Sequence, residues 1–242
     1  SVRKGGAMNE ERIRALKQCE ETLRYRFRDL SLLDHALTHR SYANENAALG
    51  IKDNERLEFL GDAVLELCIS DLLMRRFPDH AEGDLTKLRA AVVNERPLAE
   101  LALRLDIGAR LRLGRGEAAS GGSAKPSLLA NALEAVIAAV YLDSTYLETL
   151  AFIGRLFSAA IAEGTQALFY QDFKSALQEI CQERYHAIPR YTVEAAEGPD
   201  HDKIFEIRVA VADVLTATGR GRTKKEAEPE AARKALHALD AA

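Results

Sequence analysis

The residues best equipped for chemistry lie in Asn54-Glu55-Arg56-Leu57-Glu58-Phe59-Leu60-Gly61-Asp62. Glu55, Glu58, Asp62 and Glu66 are spaced three, four and four apart, which on a helix of 3.6 residues per turn stacks their carboxylates along one stripe. Like charges at this spacing oppose each other. The residues four places on, Phe59, Asp62, Glu66 and Ser70, include no base to offset them. A row of anionic oxygens without its own cation fits a hard divalent ion such as Mg2+. Acidic faces also occur on ordinary solvated helices, and spacing does not separate the two readings.

A second carboxylate is placed more tellingly. Ser127–Tyr141 contains one charged side chain, Glu134, among alanine, leucine, valine and isoleucine, with Asn131 one turn before it. A helix apolar nearly all round belongs inside a fold, where a carboxylate is costly unless it is paired or binds a metal. Glu134 therefore meets an arginine or a helix N-terminus, occupies the one wet position of its helix, or joins the Glu58–Asp62 stripe in a shared site. The two acidic segments together favour the shared site.

The elements that must position these groups are helices for the first two thirds of the chain. Residues 9–24, 30–39, 54–77, 84–104, 127–142 and 145–163 carry helical periodicity or dense helix formers. From about residue 171 the pattern changes. A helix over 172–184 precedes three short alternating strands, 191–194, 204–209 and 213–218, and a closing helix over 223–239. The domains expected are residues 8–163 and 171–240, joined by a linker over 164–170. Pro229, some six residues into the last helix, predicts either a kink past the lysines or a later start.

Of the 242 residues, 47% are hydrophobic and 29% charged, a globular balance. No apolar run reaches the length of a membrane span, and no secretory signal opens the chain. Cys19, Cys68 and Cys181 are scattered and odd in number, as in a reducing compartment. A cytoplasmic protein without membrane association is expected. The net charge of −4 supplies no global attraction for nucleic acid, so any such binding needs a local basic patch.

Several stretches together resemble bacterial ribonuclease III: Ala36-Leu-Thr-His-Arg-Ser-Tyr42, Asn54 to Asp62, Glu82 to Ala90, Gly116-Glu117 with Ser120-Gly121-Gly122, and Leu129 to Ala135 followed by Tyr141-Leu-Asp143. They stand in the family's order across residues 30–145. The resemblance implies a mainly α protein, an all-helical endonuclease domain followed by a small α-β-β-β-α double-stranded RNA-binding domain. It implies Mg2+, with Mn2+ as a substitute, held by Glu58, Asp62, Asn131 and Glu134 as the catalytic set. Glu55 and Glu82 would line the cleft, and Phe59 would contact the second subunit of a homodimer. His35 and His39 are read as packing and capping residues, not as general bases. The implied reaction is hydrolysis of double-stranded RNA to 5′-phosphate and 3′-hydroxyl ends in rRNA and mRNA processing, with no small-molecule cofactor. Asn131 departs from the pattern, because aspartate is usual there. It leaves an alternative of a catalytically weakened RNA-binding regulator on the same scaffold.

In the second domain the resemblance places Ser175, Gln178 and Glu179 against one minor groove, His201 in the next, and Lys224 and Lys225 on the phosphates between. Such modules read A-form shape and 2′-hydroxyls. Residues 171–242 carry 11 Lys and Arg against 13 Asp and Glu. Positive charge is concentrated locally in Arg220, Arg222, Lys224 and Lys225.

Overall fold

A computed structural model describes residues 8–78, 80–199 and 203–240, with the backbone alone at 163–172 and 240. The chain divides into two compact units, residues 1–162 and 163–242.

The first unit is helical: α1 Glu10–Leu23, α2 Leu30–Ala36, α3 Arg40–Glu45, α4 Glu55–Arg76, α5 Glu82–Val93, α6 Glu95–Arg104, α7 Arg115–Ala119, α8 Pro126–Asp143, α9 Tyr146–Leu156 and the start of α10, Ser158–Tyr185. At its centre is α8. Pro126 begins it, where a missing N–H costs nothing, and Leu133, Val136, Ile137 and Val140 are fully buried. By length and composition α8 could cross a membrane; here it is the core helix of the unit. Its C-terminal end is held by Asp143. That buried carboxylate accepts the Tyr25 hydroxyl at 2.9 Å and the amides of Arg28 and Asp29, both at 2.8 Å. Burial, then this hydrogen bond, pushes the Tyr25 phenol up to about 12.

Two expected helices, 84–104 and 145–163, are each divided, the second at Phe157 between α9 and α10. The stretch 84–104 breaks at Asn94, which is extended (ψ 159°). Pro97 explains the break: in a continuous helix its ring would crowd the Val93 carbonyl, whereas in the first turn of α6 it is tolerated. The helix expected over 30–39 ends at Ala36, because Thr38 forms a bridge with Arg112, and α3 is a separate helix starting at Arg40.

The second unit contains the rest of α10, β1 Arg190–Glu197, β2 Ile204–Val211, β3 Leu215–Gly221 and α11 Lys224–Asp240. The antiparallel sheet has order β1-β2-β3. Ile207, Val209 and Val211 alternate inward from β2, and Val209 and Val211 share a core with Leu177 and Cys181 of α10 and Ala231 and Ala235 of α11. The third strand begins at Leu215, not 213, since Ala212 takes a left-handed conformation (φ 46°) and opens the turn. The segment expected as a linker, 164–170, has helical backbone within α10; its Gln166-Ala167-Leu168 are good helix formers, and Gly164 is its weakest residue for a helix. Pro229 neither delays α11 nor ends it. The helix starts at Lys224, with Thr223 Oγ1 accepting the Glu226 amide at 3.2 Å, and continues through the buried proline.

Candidate active site

The site is set by a backbone contact between α4 and α8. A Cβ built on Gly61 would fall 1.8 Å from the Glu134 carbonyl oxygen and 2.4 Å from its carbon. Only glycine permits this approach. Three residues before Gly61 on α4 stands Glu58 and one after it Asp62, while Asn131 lies three residues before Glu134 on α8.

The start of α4 is fixed as firmly. The buried Asn54 side chain donates to the Ala36 carbonyl at 3.0 Å, and its amide donates to the Thr38 carbonyl at 2.9 Å. His35 Nε2 lies 2.7 Å from the Asp53 carbonyl, which assigns the ring proton to Nε2. His39 caps α3, Nδ1 accepting the Ser41 amide at 3.2 Å. Both histidines therefore pack and cap, as read from the sequence.

The electrostatics follow from this geometry. Burial raises the Glu134 carboxyl to about 7, and Asp62 and then Glu58 add to the shift. Glu58 is raised too, by burial first and Glu55 second, against a hydrogen bond from Asn131 that favours its ionised form. Among the described residues no lysine or arginine pairs with Glu58, Asp62 or Glu134. Glu55 alone has a cation, Arg40 at 2.9 Å. The carboxylates feel one another without contracting into a cage: no three His, Cys, Asp or Glu side chains among the described residues form a ready-made metal shell. As a donor set, three carboxylate groups and one amide oxygen suit a hard divalent cation.

Two other acidic residues named from the sequence, Glu66 and Glu82, are not among the charges that shift Glu58 or Glu134. Glu66 continues the spacing but is exposed and is not among the charges acting on Glu58 or Glu134. Glu82 lies in the first turn of α5, where it accepts the Thr86 hydroxyl at 2.8 Å. Phe59, beside Glu58, is 81% exposed, a large apolar side chain presented to solvent.

On the second unit Ser175, Gln178 and Glu179 form an exposed face of α10, and Lys224 and Lys225 are exposed in the first turn of α11. His201 lies outside the described residues. The lysines are positioned by another glycine contact: a Cβ on Gly219 of β3 would meet the Ala227 carbonyl oxygen at 2.2 Å. Glu228 pairs with Lys174 at 2.6 Å, tying α11 to α10, and Lys174 Nζ sits 4.9 Å from the Tyr191 ring centre. The basic cluster is smaller than its composition suggests. Arg220 is held by Glu206, its cross-strand neighbour, at 2.7 Å.

Known proteins share this organisation. Residues 29–160 match the family described as Ribonuclease-III-like, and residues 173–239 match the double-stranded RNA binding motif. The combination defines a nuclease joined to a module for RNA duplexes. Ribonuclease 3 of Syntrophobacter fumaroxidans is 46% identical over 93% of this chain and 95% of its own. Ribonuclease 3 of Thermobifida fusca is 51% identical over 87% of each. The nuclease domain of ribonuclease III from Campylobacter jejuni superposes with a TM-score of 0.56 at 42% identity, covering 60% of this chain and 97% of that domain. The chain belongs to the ribonuclease III family and is an endoribonuclease for double-stranded RNA.

Proposed function

We propose that the chain cuts both strands of RNA duplexes in a Mg2+-dependent reaction, using Glu58, Asp62, Asn131 and Glu134. The supporting observation is the α4–α8 crossing at Gly61, which brings the two helices carrying these four side chains together with, among the described residues, no lysine or arginine paired to Glu58, Asp62 or Glu134. Bound Mg2+, or Mn2+ in its place, supplies charge neutralisation and an activated water. The chain's own groups do the positioning. Glu58 accepts a hydrogen bond from Asn131, whose carbonyl oxygen would serve as a neutral ligand. Asp62 is exposed and Glu134 half-buried, so the two differ in how readily water reaches them. Glu55 and Glu82 line the approach. A water oxygen adds to phosphorus, the bond from phosphorus to the 3′-oxygen breaks, and 5′-phosphate and 3′-hydroxyl ends result.

A second copy completes the proposal. The Campylobacter jejuni nuclease domain is described as having a region involved in dimer formation, and the exposure of Phe59 beside Glu58 suits the same arrangement here. Two subunits give two acidic sites and paired, staggered cuts. Ser175, Gln178, Glu179 and His201 read the duplex by shape while Lys224 and Lys225 hold its phosphates. Precursors of rRNA and mRNA in the cytoplasm are the proposed substrates.

Asn131 favours a second reading, a weakened nuclease that regulates RNA by binding. Sizing a long RNA duplex after incubation with Mg2+ or EDTA decides between them. Metal-dependent shortening supports the nuclease; retarded but intact duplex supports the binder.

A further inference from the structure

Arg40 stands at the edge of the acidic site on an unusually fixed backbone. On one side the His39 amide donates to the Arg112 carbonyl at 3.0 Å. On the other, Ser41 Oγ accepts the Gly114 amide at 2.8 Å and lies 2.8 Å from His39 Nδ1. Gly114 has no room for a side chain, since a Cβ would fall 2.8 Å from the Ser41 carbonyl oxygen. Two conspicuous stretches of sequence, around Thr38–Tyr42 and Gly114–Glu117, thus meet to hold one residue in place. Its side chain is left 63% exposed and, among the described residues, pairs with Glu55 at 2.9 Å.

Glu55 precedes Glu58 by one helical turn. Among the described residues Arg40 is the one cation paired with any of Glu55, Glu58, Asp62 and Glu134. An RNA backbone nearing these carboxylates is repelled by all of them, and a cation at their edge offsets that repulsion where it matters. An exposed Arg–Glu pair adds little to stability and is readily exchanged, whereas a phosphate offers the guanidinium two parallel hydrogen bonds.

We propose that Arg40 is a further substrate-binding residue of the nuclease site, its guanidinium leaving Glu55 to grip a duplex phosphate beside the one being cut. This rests on the reading of Glu58, Asp62 and Glu134 as the place of cleavage. The test compares the full chain with Arg40→Gln, Arg40→Lys, Glu55→Gln and the Arg40→Gln/Glu55→Gln pair, following steady-state cleavage of one RNA duplex with Mg2+ at several salt concentrations. The expected result for Arg40→Gln is a roughly tenfold rise in KM, kcat within about twofold, and a salt slope shallower by about one. Arg40→Lys recovers part of the KM, and the Arg40→Gln loss persists in the Glu55→Gln background. An unchanged KM and salt slope overturns the proposal. So does a loss that vanishes once Glu55 is neutral, because Arg40 would then act only through Glu55. If the unaltered chain fails to cut, the nuclease reading falls first. Arg40 is then judged by duplex dissociation constants without Mg2+, where roughly tenfold weakening supports it and no change overturns it.

Discussion

Gly61→Ala is the most direct challenge to the site as described. The added methyl would stand 1.8 Å from the Glu134 carbonyl oxygen, against the roughly 3.3 Å at which carbon and carbonyl oxygen normally meet. That oxygen belongs to the backbone of α8 and cannot swing aside. The two helices must separate by about 1.5 Å, in a core packed too densely to absorb it elsewhere. Overpacking of this kind costs about 1–3 kcal/mol, and a backbone clash places the variant at the upper end. A loss of about 3 kcal/mol lowers the melting temperature of a unit this size by roughly 6–12 °C while leaving it folded at 25 °C. Because Glu58 and Asp62 ride on α4, the same displacement moves them away from Glu134, and a misplacement of about 1 Å can cost roughly 100-fold in rate. Urea denaturation and single-turnover cleavage of a labelled RNA duplex measure the two effects separately. Gly83→Ala, which has nothing within 4 Å and lies in the first turn of α5, is the control and should be neutral or slightly stabilising. A Gly61→Ala chain as stable as the parent, cutting within about threefold of its rate, would refute the claim that this crossing sets the site.

Other outcomes follow from the same geometry. Asn131→Asp adds a fourth charge to the donor set and should lower the Mg2+ concentration for half-maximal cleavage roughly tenfold, read from a metal titration; no gain would show that position 131 is not a ligand. In EDTA, stability should fall as pH rises from about 5 to 7.5, because burial and the neighbouring Asp62 and Glu58 push Glu134 to about 7 and the folded chain keeps a proton that the unfolded chain has released. Glu134→Gln should flatten that slope and add about 1–2 kcal/mol at pH 8, a figure reduced for partial solvation; parallel curves would contradict it. Pro229→Ala should stabilise the second unit by about 1–2 kcal/mol, restoring a hydrogen bond to the Lys225 carbonyl at some loss of buried ring surface, and thermal melting would show an unchanged or lower transition if that carbonyl is already satisfied.

Much of this was legible in the residues, and what was not has physical reasons. Glu134 declared itself because a lone carboxylate in an apolar helix is expensive, and the stripe from Glu55 to Asp62 because nothing basic offsets it. Gly61 was silent, since a helical glycine ordinarily marks weakness and only the neighbour across the crossing reveals why no other residue fits. Arg40 was overlooked for a similar reason: its rigidity comes from Arg112 and Gly114, some seventy residues on. The break at Asn94 was written in Pro97, yet apolar periodicity on both sides masked it. The left-handed Ala212 carries no sequence signal, so the start of β3 could not be placed from alternation alone. Arg220 counted as free charge until the strand register set it opposite Glu206.

The acceptor role of Asp143 reaches beyond local packing. By taking the amides of Arg28 and Asp29 and the Tyr25 hydroxyl at once, it fastens the far end of α8 to the segment between α1 and α2. A rod pinned at one tip and wedged at mid-length has no freedom to slide along its axis. Ångström-scale registry at the acidic cluster is thereby inherited from a carboxylate two and a half turns away, and a neutral residue at 143 would detune the cluster without touching any part of it.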